Sequence, residues 1–160
     1  MAEDNNRATI VVLSGDMDKV FAALIIATGC AAAGMETTLF FTFWGLNTIR
    51  KETSIKADSF LGKMMGMMNR GGINRLNPSR FSFGGIGRIL FNKMMGDKNV
   101  ASLEELLQTA IDLDVNLLAC KMSMDVMEIT HDDLIPEVEH IVGVATMVKE
   151  ASNSKIQLFI

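Results

Sequence analysis

The residues with most chemistry to offer are the two cysteines, Cys30 and Cys120. Cys120 stands in the stretch Leu117-Leu118-Ala119-Cys120-Lys121-Met122-Ser123-Met124-Asp125. From Val115 to Ala119 the apolar residues run on rather than alternate, which predicts a short buried strand. Ser123 and Asp125 follow with oxygens suited to capping a helical turn. Cys120 is therefore expected where a strand ends and a helix begins. In an open parallel sheet that carboxyl edge is where ligands bind. A helix N-terminus aims partial positive charge at the sulfur and lowers a thiol pKa from its ordinary value of about 8.5. Lys121 pushes the same way and a nearby Asp125 the opposite way. The competing reading is a small buried hydrophobe, since free cysteine is often buried.

Cys30 lies in Ala27-Thr28-Gly29-Cys30-Ala31-Ala32, deep in an Ala-rich helical stretch with no charge beside it, and reads as packing. A mid-helix position argues against a redox pair with Cys120, which needs Cα atoms within about 7 Å. His131 could assist a thiolate, but it reads more simply as an exposed residue at a helix start. The two cysteines and two histidines have no recognisable ligand spacing, so no metal is expected. Gly84-Gly85-Ile86-Gly87 follows no strand and is not a dinucleotide fingerprint. No cofactor is called for.

Several elements are needed to position the cysteine. Ala8 to Leu13 is a β-branched run closed by Ser14-Gly15-Asp16, and predicts a first strand followed by a helix that Asp16 can cap. That helix runs from Met17 to Ala33 and stops at Gly34. Thr37 to Thr42 is a second strand. Ser102 and Glu105 have capping-box spacing, and Leu103, Leu106, Leu107, Ala110 and Leu113 form one apolar helix face. The Cys120 strand comes third. Thr130 to Asp133 begins a helical turn with Pro136 early in it, His140 to Val144 is a fourth strand, Ala145 to Ser152 a helix, and Lys155 to Ile160 a fifth strand. Alternating strands and helices mean an α/β protein with a mainly parallel sheet. In the flavodoxin-like strand order 2-1-3-4-5, strands one and three meet at the topological switch point. Ser14, Gly15 and Asp16 would then share one crevice with Cys120, Lys121, Met122, Ser123, Met124 and Asp125, and these eight neighbours are the expected substrate-binding residues. The plainer reading of Ser14-Gly15-Asp16 is a tight turn with a helix cap.

The motif Ala119-Cys120-x-Met122-Ser123-Met124-Asp125-Val126-Met127, followed by Asp133-Leu134-Ile135, resembles the DsrE-like sulfur-carrier proteins. Gly34-Met35-Glu36 through Thr42-Phe43-Trp44-Gly45-Leu46 agrees, as does Gly143-Val144-Ala145-Thr146, so the resemblance covers most of the chain. One departure is Glu128, where the pattern has glycine. The resemblance implies a flavodoxin-like three-layer αβα sandwich and a homo-oligomer, a trimer or a multiple of one. It also implies a cysteine that carries sulfane sulfur as a persulfide, taken from a donor and passed to an acceptor protein or small thiol. The alternative is a non-catalytic binding or assembly subunit whose cysteine is structural.

A chain of 160 residues, 49 % apolar, suits one domain over 1–160 with a sizeable core. From Ser59 to Gly96 the character changes. This stretch holds Lys63, Arg70, Arg75, Arg80, Arg88 and Lys93, six of the 15 cations, and none of the 19 acids. It is also rich in Met and Gly, and too long for a simple connector, so an insertion over about 59–96 is expected. Three roles fit it: an oligomer interface, a mobile lid over the cysteine crevice, or a dock for a membrane surface or an acidic partner. Nothing points to nucleic acid. Two cysteines are too few for a disulfide framework, the N-terminus does not read as a signal peptide, and no apolar run reaches about 18 residues, so a cytoplasmic location is expected, with peripheral membrane association as a variant.

Overall fold

The computed structural model describes residues 6–52 and 59–160. Its elements in chain order begin with β1 (Arg7–Val12), α1 (Met17–Ala32), β2 (Glu36–Phe41) and a 3-10 helix over Phe43–Ile49. Next come α2 (Phe60–Met68), α3 (Ile86–Asp97), α4 (Leu103–Asp112), β3 (Asn116–Cys120) and α5 (Lys121–Val126). A turn at His131–Asp133 leads to β4 (His140–Val142), α6 (Val144–Ser152) and β5 (Ile156–Phe159).

All five strands pair in parallel, in the order β4-β3-β2-β1-β5. The α/β class and the layered parallel sheet stand as expected, but the order differs from 2-1-3-4-5. β2 lies between β1 and β3, and the sequence order reverses instead where β5 enters beside β1. The physical reason is the handedness of the crossovers. β1 to β2 and β2 to β3 step the same way, so right-handed connections put α1 and α4 on one face. The connection from β4 to β5 runs back across the sheet and puts α6 on the other.

Strand alternation sorts the core accordingly. Ile10, Val12, Leu39, Phe41, Leu117 and Ala119 are buried in the main core with Val20, Leu24 and Ala27 of α1 and Leu107 of α4. Val11, Phe40, Leu118 and Cys120 point the other way, toward Met147 of α6. α4 carries the expected capping box: the Ser102 hydroxyl accepts from the Glu105 amide at 3.2 Å, and the Glu105 carboxylate accepts from the Ser102 amide at 2.7 Å. Asp16 stands at the start of α1 but makes no cap bond with its side chain, which pairs with Lys19 at 2.8 Å.

α1 ends in a Schellman motif: Met35 N–H reaches Cys30 O at 3.0 Å and Gly34 N–H reaches Ala31 O at 2.9 Å, with Gly34 at φ 79°. α5 ends the same way, with Ile129 N–H on Met124 O at 2.9 Å. Here the left-handed position belongs to Glu128, at φ 53°. The turn closes despite the side chain, and the Glu128 carboxylate accepts from the Ser59 amide and hydroxyl.

The 59–97 stretch forms α2 and α3, joined by loop and short 3-10 turns. Its inner side packs into the molecule. Leu76 is 5 % exposed, and the Phe91 ring lies 6.2 Å from that of Phe21. Its outer side leaves Phe60, Phe81, Phe83, Ile86 and Ile89 exposed. Pro136 lies beyond the His131–Asp133 turn, not inside it.

Candidate functional site

Cys120 is the last residue of β3 and stands at the N-cap position of α5. The strand ends there because Lys121 turns into helix, and the sulfur is left on the α6 face of the sheet, 4 % exposed. Thr42 follows the last residue of β2, one strand over, and its hydroxyl is 2.8 Å from that of Ser123 in a buried contact. Both hydroxyls reach the Cys120 sulfur, as do the amides of Ser123 and Met122. Burial is the largest single influence on the thiol and pushes its pKa up. The Ser123 hydroxyl and amide, the Thr42 hydroxyl and the Met122 amide together outweigh it, and the thiol titrates below its ordinary value. A sulfur held in this way gives up its proton more readily than an ordinary thiol, in a niche that leaves it 4 % exposed. Among the described residues no histidine and no lysine belongs to the groups that shift it.

The remaining expected site residues divide. Ser123 sits at the sulfur, and Met122 contributes its amide. Met124 is 3 % exposed and belongs to the main core. Lys121 and Asp125 form an exposed ion pair with each other, so the opposed pushes expected from them cancel at the surface. Neither Ser123 nor Asp125 caps the turn. Ser14, Gly15 and Asp16 are at the same carboxyl edge but do not share a crevice with Cys120. Two strand spacings of about 4.8 Å separate β1 from β3, and the end of β2 with Trp44 intervenes. Gly15 is packed so close that a Cβ there would lie 2.6 Å from the Trp44 carbonyl oxygen. These three residues line a separate cavity of about 710 Å³ that Cys120 does not touch.

Cys30 is buried near the C-terminal end of α1, and burial raises its thiol pKa. α1 runs back from the carboxyl edge of the sheet to its amino edge. At about 1.5 Å per residue the helix carries Cys30 roughly 20 Å from its own start, far outside disulfide reach of Cys120; both thiols are free. His131 is exposed on a turn capped by Thr130, whose hydroxyl and amide bond Asp133 at 2.7 and 2.8 Å. Among the described residues no three of His, Cys, Asp and Glu converge as a metal set.

The sequence model of the DsrE/DsrF/DrsH-like family matches residues 4–159. The chain belongs to this family. Like this DsrE-like chain, a Bacillus subtilis protein described as uncharacterized protein YrkE spans the full alignment, with 39 % identity over 161 residues and complete coverage of both chains. The sulfur carrier protein DsrE2 of Allochromatium vinosum is 29 % identical over 161 residues, covering 98 % of this chain and 99 % of that one. Two solved structures share the fold: YchN of E. coli, with a TM-score of 0.58 at 12 % identity, and MTH1491 of Methanobacterium thermoautotrophicum, with 0.51 at 14 %. Each of those structural matches covers 96 % of this DsrE-like chain and 98 % of the other.

Sequence reading missed Thr42 as a partner of the sulfur. Its signal was its place at the end of the second strand, inside one of the family-like stretches. It also missed that Lys19, Arg70, Arg75 and Arg88 gather around the cavity beside Ser14.

Proposed function

We propose that the protein is a sulfur carrier that holds sulfane sulfur as a persulfide on Cys120 and passes it to an acceptor thiol. The observation that carries this reading is the lowered thiol of Cys120 among the Ser123 and Thr42 hydroxyls and two amides. Membership of the family and the 29 % identical sulfur carrier add support. In the loading step the Cys120 thiolate attacks the outer sulfur of a donor persulfide. A Cys120–sulfur bond forms, the donor sulfur–sulfur bond breaks, and the donor leaves as a thiolate. In the unloading step an acceptor thiolate attacks that same sulfur and Cys120 departs as a thiolate. No external oxidant or base is required, and the donors that stabilise the thiolate can stabilise the persulfide anion.

The reading includes a homo-oligomer, a trimer or a multiple of one. Val126, Val144, Val148 and Phe159 on the α5, α6 and β5 side are 54–69 % exposed, more apolar surface than one copy would leave to water. It includes a single DsrE-like unit with residues 59–96 inserted, a cytoplasmic setting, and donor and acceptor proteins or small thiols. Among the described residues no helix is long and apolar enough to cross a membrane. A dock for an acidic partner or a membrane surface on 59–96 is supported by its cations and exposed apolar side chains. The near-complete burial of Cys120 favours the second reading, an assembly subunit with a structural cysteine.

Intact-mass measurement after incubation with polysulfide separates the two. A carrier gains mass in steps of one sulfur, keeps the gain in Cys30→Ser and loses it in Cys120→Ser. No gain, or a gain that follows Cys30, would sink the proposal.

A further inference from the structure

The cavity beside Ser14-Gly15-Asp16 is not used by any chemistry at Cys120, and its composition is unlike the rest of this acidic chain. Lys19 of α1, Arg70 and Arg75 from the loop after α2, and Arg88 of α3 all line it. Among the described residues Asp16 is the one carboxylate on the wall, and it is paired with Lys19 at 2.8 Å. Among the described residues Arg75 has only a long contact to Glu52, 3.9 Å. Among the described residues Arg70 and Arg88 have no ion pair. Asp18, close by on α1, is spent on the amide and hydroxyl of Ser79 at 2.7 and 2.8 Å.

A second observation points the same way. Among the described residues Arg50, 2 % exposed, makes no ion pair and its Nε has no hydrogen-bond partner. Its Nη1 donates to Asn47 Oδ1 at 2.8 Å and to the Asn69 carbonyl at 3.2 Å. Both asparagines line the cavity, so a buried cation, with the Asp133 carboxylate as the opposite charge acting on it, stands behind the wall. Burial still outweighs the Asp133 charge and lowers the Arg50 pKa, so the guanidinium can gain from a further anion nearby. The cavity also lies beside β1, next to the point where the strand order reverses, the place where open α/β sheets take ligands. Its first wall is the start of the 16-residue helix α1, whose dipole adds positive potential.

Charge alone would suit any anion, but the size and the remaining wall narrow the class. A volume of about 710 Å³ is far larger than one oxyanion needs and falls in the range of organic ligands. Trp44, 47 % exposed, lines the cavity with an aromatic side chain suited to a planar group, and Asn77 adds an amide. We propose that this cavity binds an organic phosphate of nucleotide size, its phosphates on the arginine wall and its planar body against Trp44. The site is distinct from Cys120, and its occupancy does not depend on persulfide chemistry.

Trp44 is the only tryptophan of the chain, so its emission reports directly on the cavity. The intact protein would be titrated at low salt, without divalent cations, with ATP, adenosine and inorganic phosphate in separate arms. ATP is expected to change Trp44 emission to saturation, adenosine to do nothing at the same concentration, and inorganic phosphate to compete only at tenfold or higher concentration. Arg70→Ala and Arg88→Ala should each weaken ATP about tenfold with unchanged circular dichroism. Arg70→Gln serves where the alanine variant fails to fold. The proposal is overturned if ATP gives no saturable change at millimolar concentration, if adenosine or phosphate binds as tightly as ATP, or if affinity survives both arginine changes.

Discussion

Replacing Ser123 by alanine should raise the pKa of Cys120, and the size of the effect follows from the local bonding. The hydroxyls of Ser123 and Thr42 carry one proton each and lie 2.8 Å apart, so in the thiolate state they share the work of donating to sulfur and to each other. A hydrogen bond to a charged group is worth about 1.5–3 kcal/mol. Thr42, released from Ser123, can turn its proton to the sulfur, so the lower end of that range applies. A loss of about 1.4 kcal/mol lowers the thiolate population tenfold at any pH below the inflection. Reactivity falls less, because a more basic thiolate is intrinsically more nucleophilic. With a Brønsted coefficient of about 0.4–0.5, the net alkylation rate drops only about threefold. Both quantities can be read in a Cys30→Ser background, the first by thiolate ultraviolet absorbance against pH and the second by iodoacetamide labelling. Thr42→Val should shift the titration in the same direction. A Ser123→Ala titration that superimposes on the parent, or moves toward acid, would refute the assignment of the hydroxyls as the stabilising groups.

The two thiols should leave opposite marks on stability. Cys120 titrates below its unfolded value, so its contribution is full above the ordinary thiol pKa of about 8.5 and is lost as pH falls through the folded value. Cys30 titrates above it, so its contribution is full below the ordinary value and is lost as pH rises through the folded one. Urea titrations across neutral and alkaline pH should show Cys120→Ser flattening the rise and Cys30→Ser removing the fall. A Cβ at Gly45 would overlap the Val12 carbonyl oxygen, which also accepts the Thr42 amide at 3.0 Å. Gly45→Ala should therefore cost about 3 kcal/mol, the upper range of overpacking, and move the Cys120 titration as well; an unchanged urea midpoint would contradict this. Glu128→Gly should relieve about 1 kcal/mol of left-handed strain at φ 53°, more than the exposed Ser59 contact returns, and raise the melting temperature by about 2–4 °C; a lowered melting temperature would contradict this.

The elements were legible because their signals are local. β-branched runs marked β1 and β2, Ser102 and Glu105 marked the start of α4, and the unbroken apolar stretch before Cys120 marked β3. Strand order was not legible, since parallel strands buried on both faces carry no record of their neighbours in their own residues. That gap misplaced Ser14-Gly15-Asp16 relative to Cys120, although both were correctly put at the carboxyl edge. Thr42 escaped for a similar reason: it meets Ser123 from 81 residues away, and a threonine at a strand end is locally unremarkable. The cations of 59–96 were visible as a charge imbalance, but only folding reveals that Arg70, Arg75 and Arg88 converge with Lys19 from α1.

The position of β5 has a consequence for synthesis on the ribosome. β1, β2, β3 and β4 can add to the sheet one after another as they emerge, each beside its predecessor. β1 nevertheless keeps its other edge open until Thr9 can pair with Gln157, almost a chain length later. Through that interval a β-branched edge strand is available to any other nascent copy, which is the situation that favours aggregation. The closing contacts include four register pairs, with Lys155 N–H on Arg7 O at 2.9 Å before them and Leu13 N–H on Ile160 O at 2.7 Å and Ile160 N–H on Val11 O at 2.9 Å beyond them. Production of soluble protein should therefore be far more sensitive to lesions in residues 155–160 than their modest burial suggests, and chaperone demand should fall on this last step.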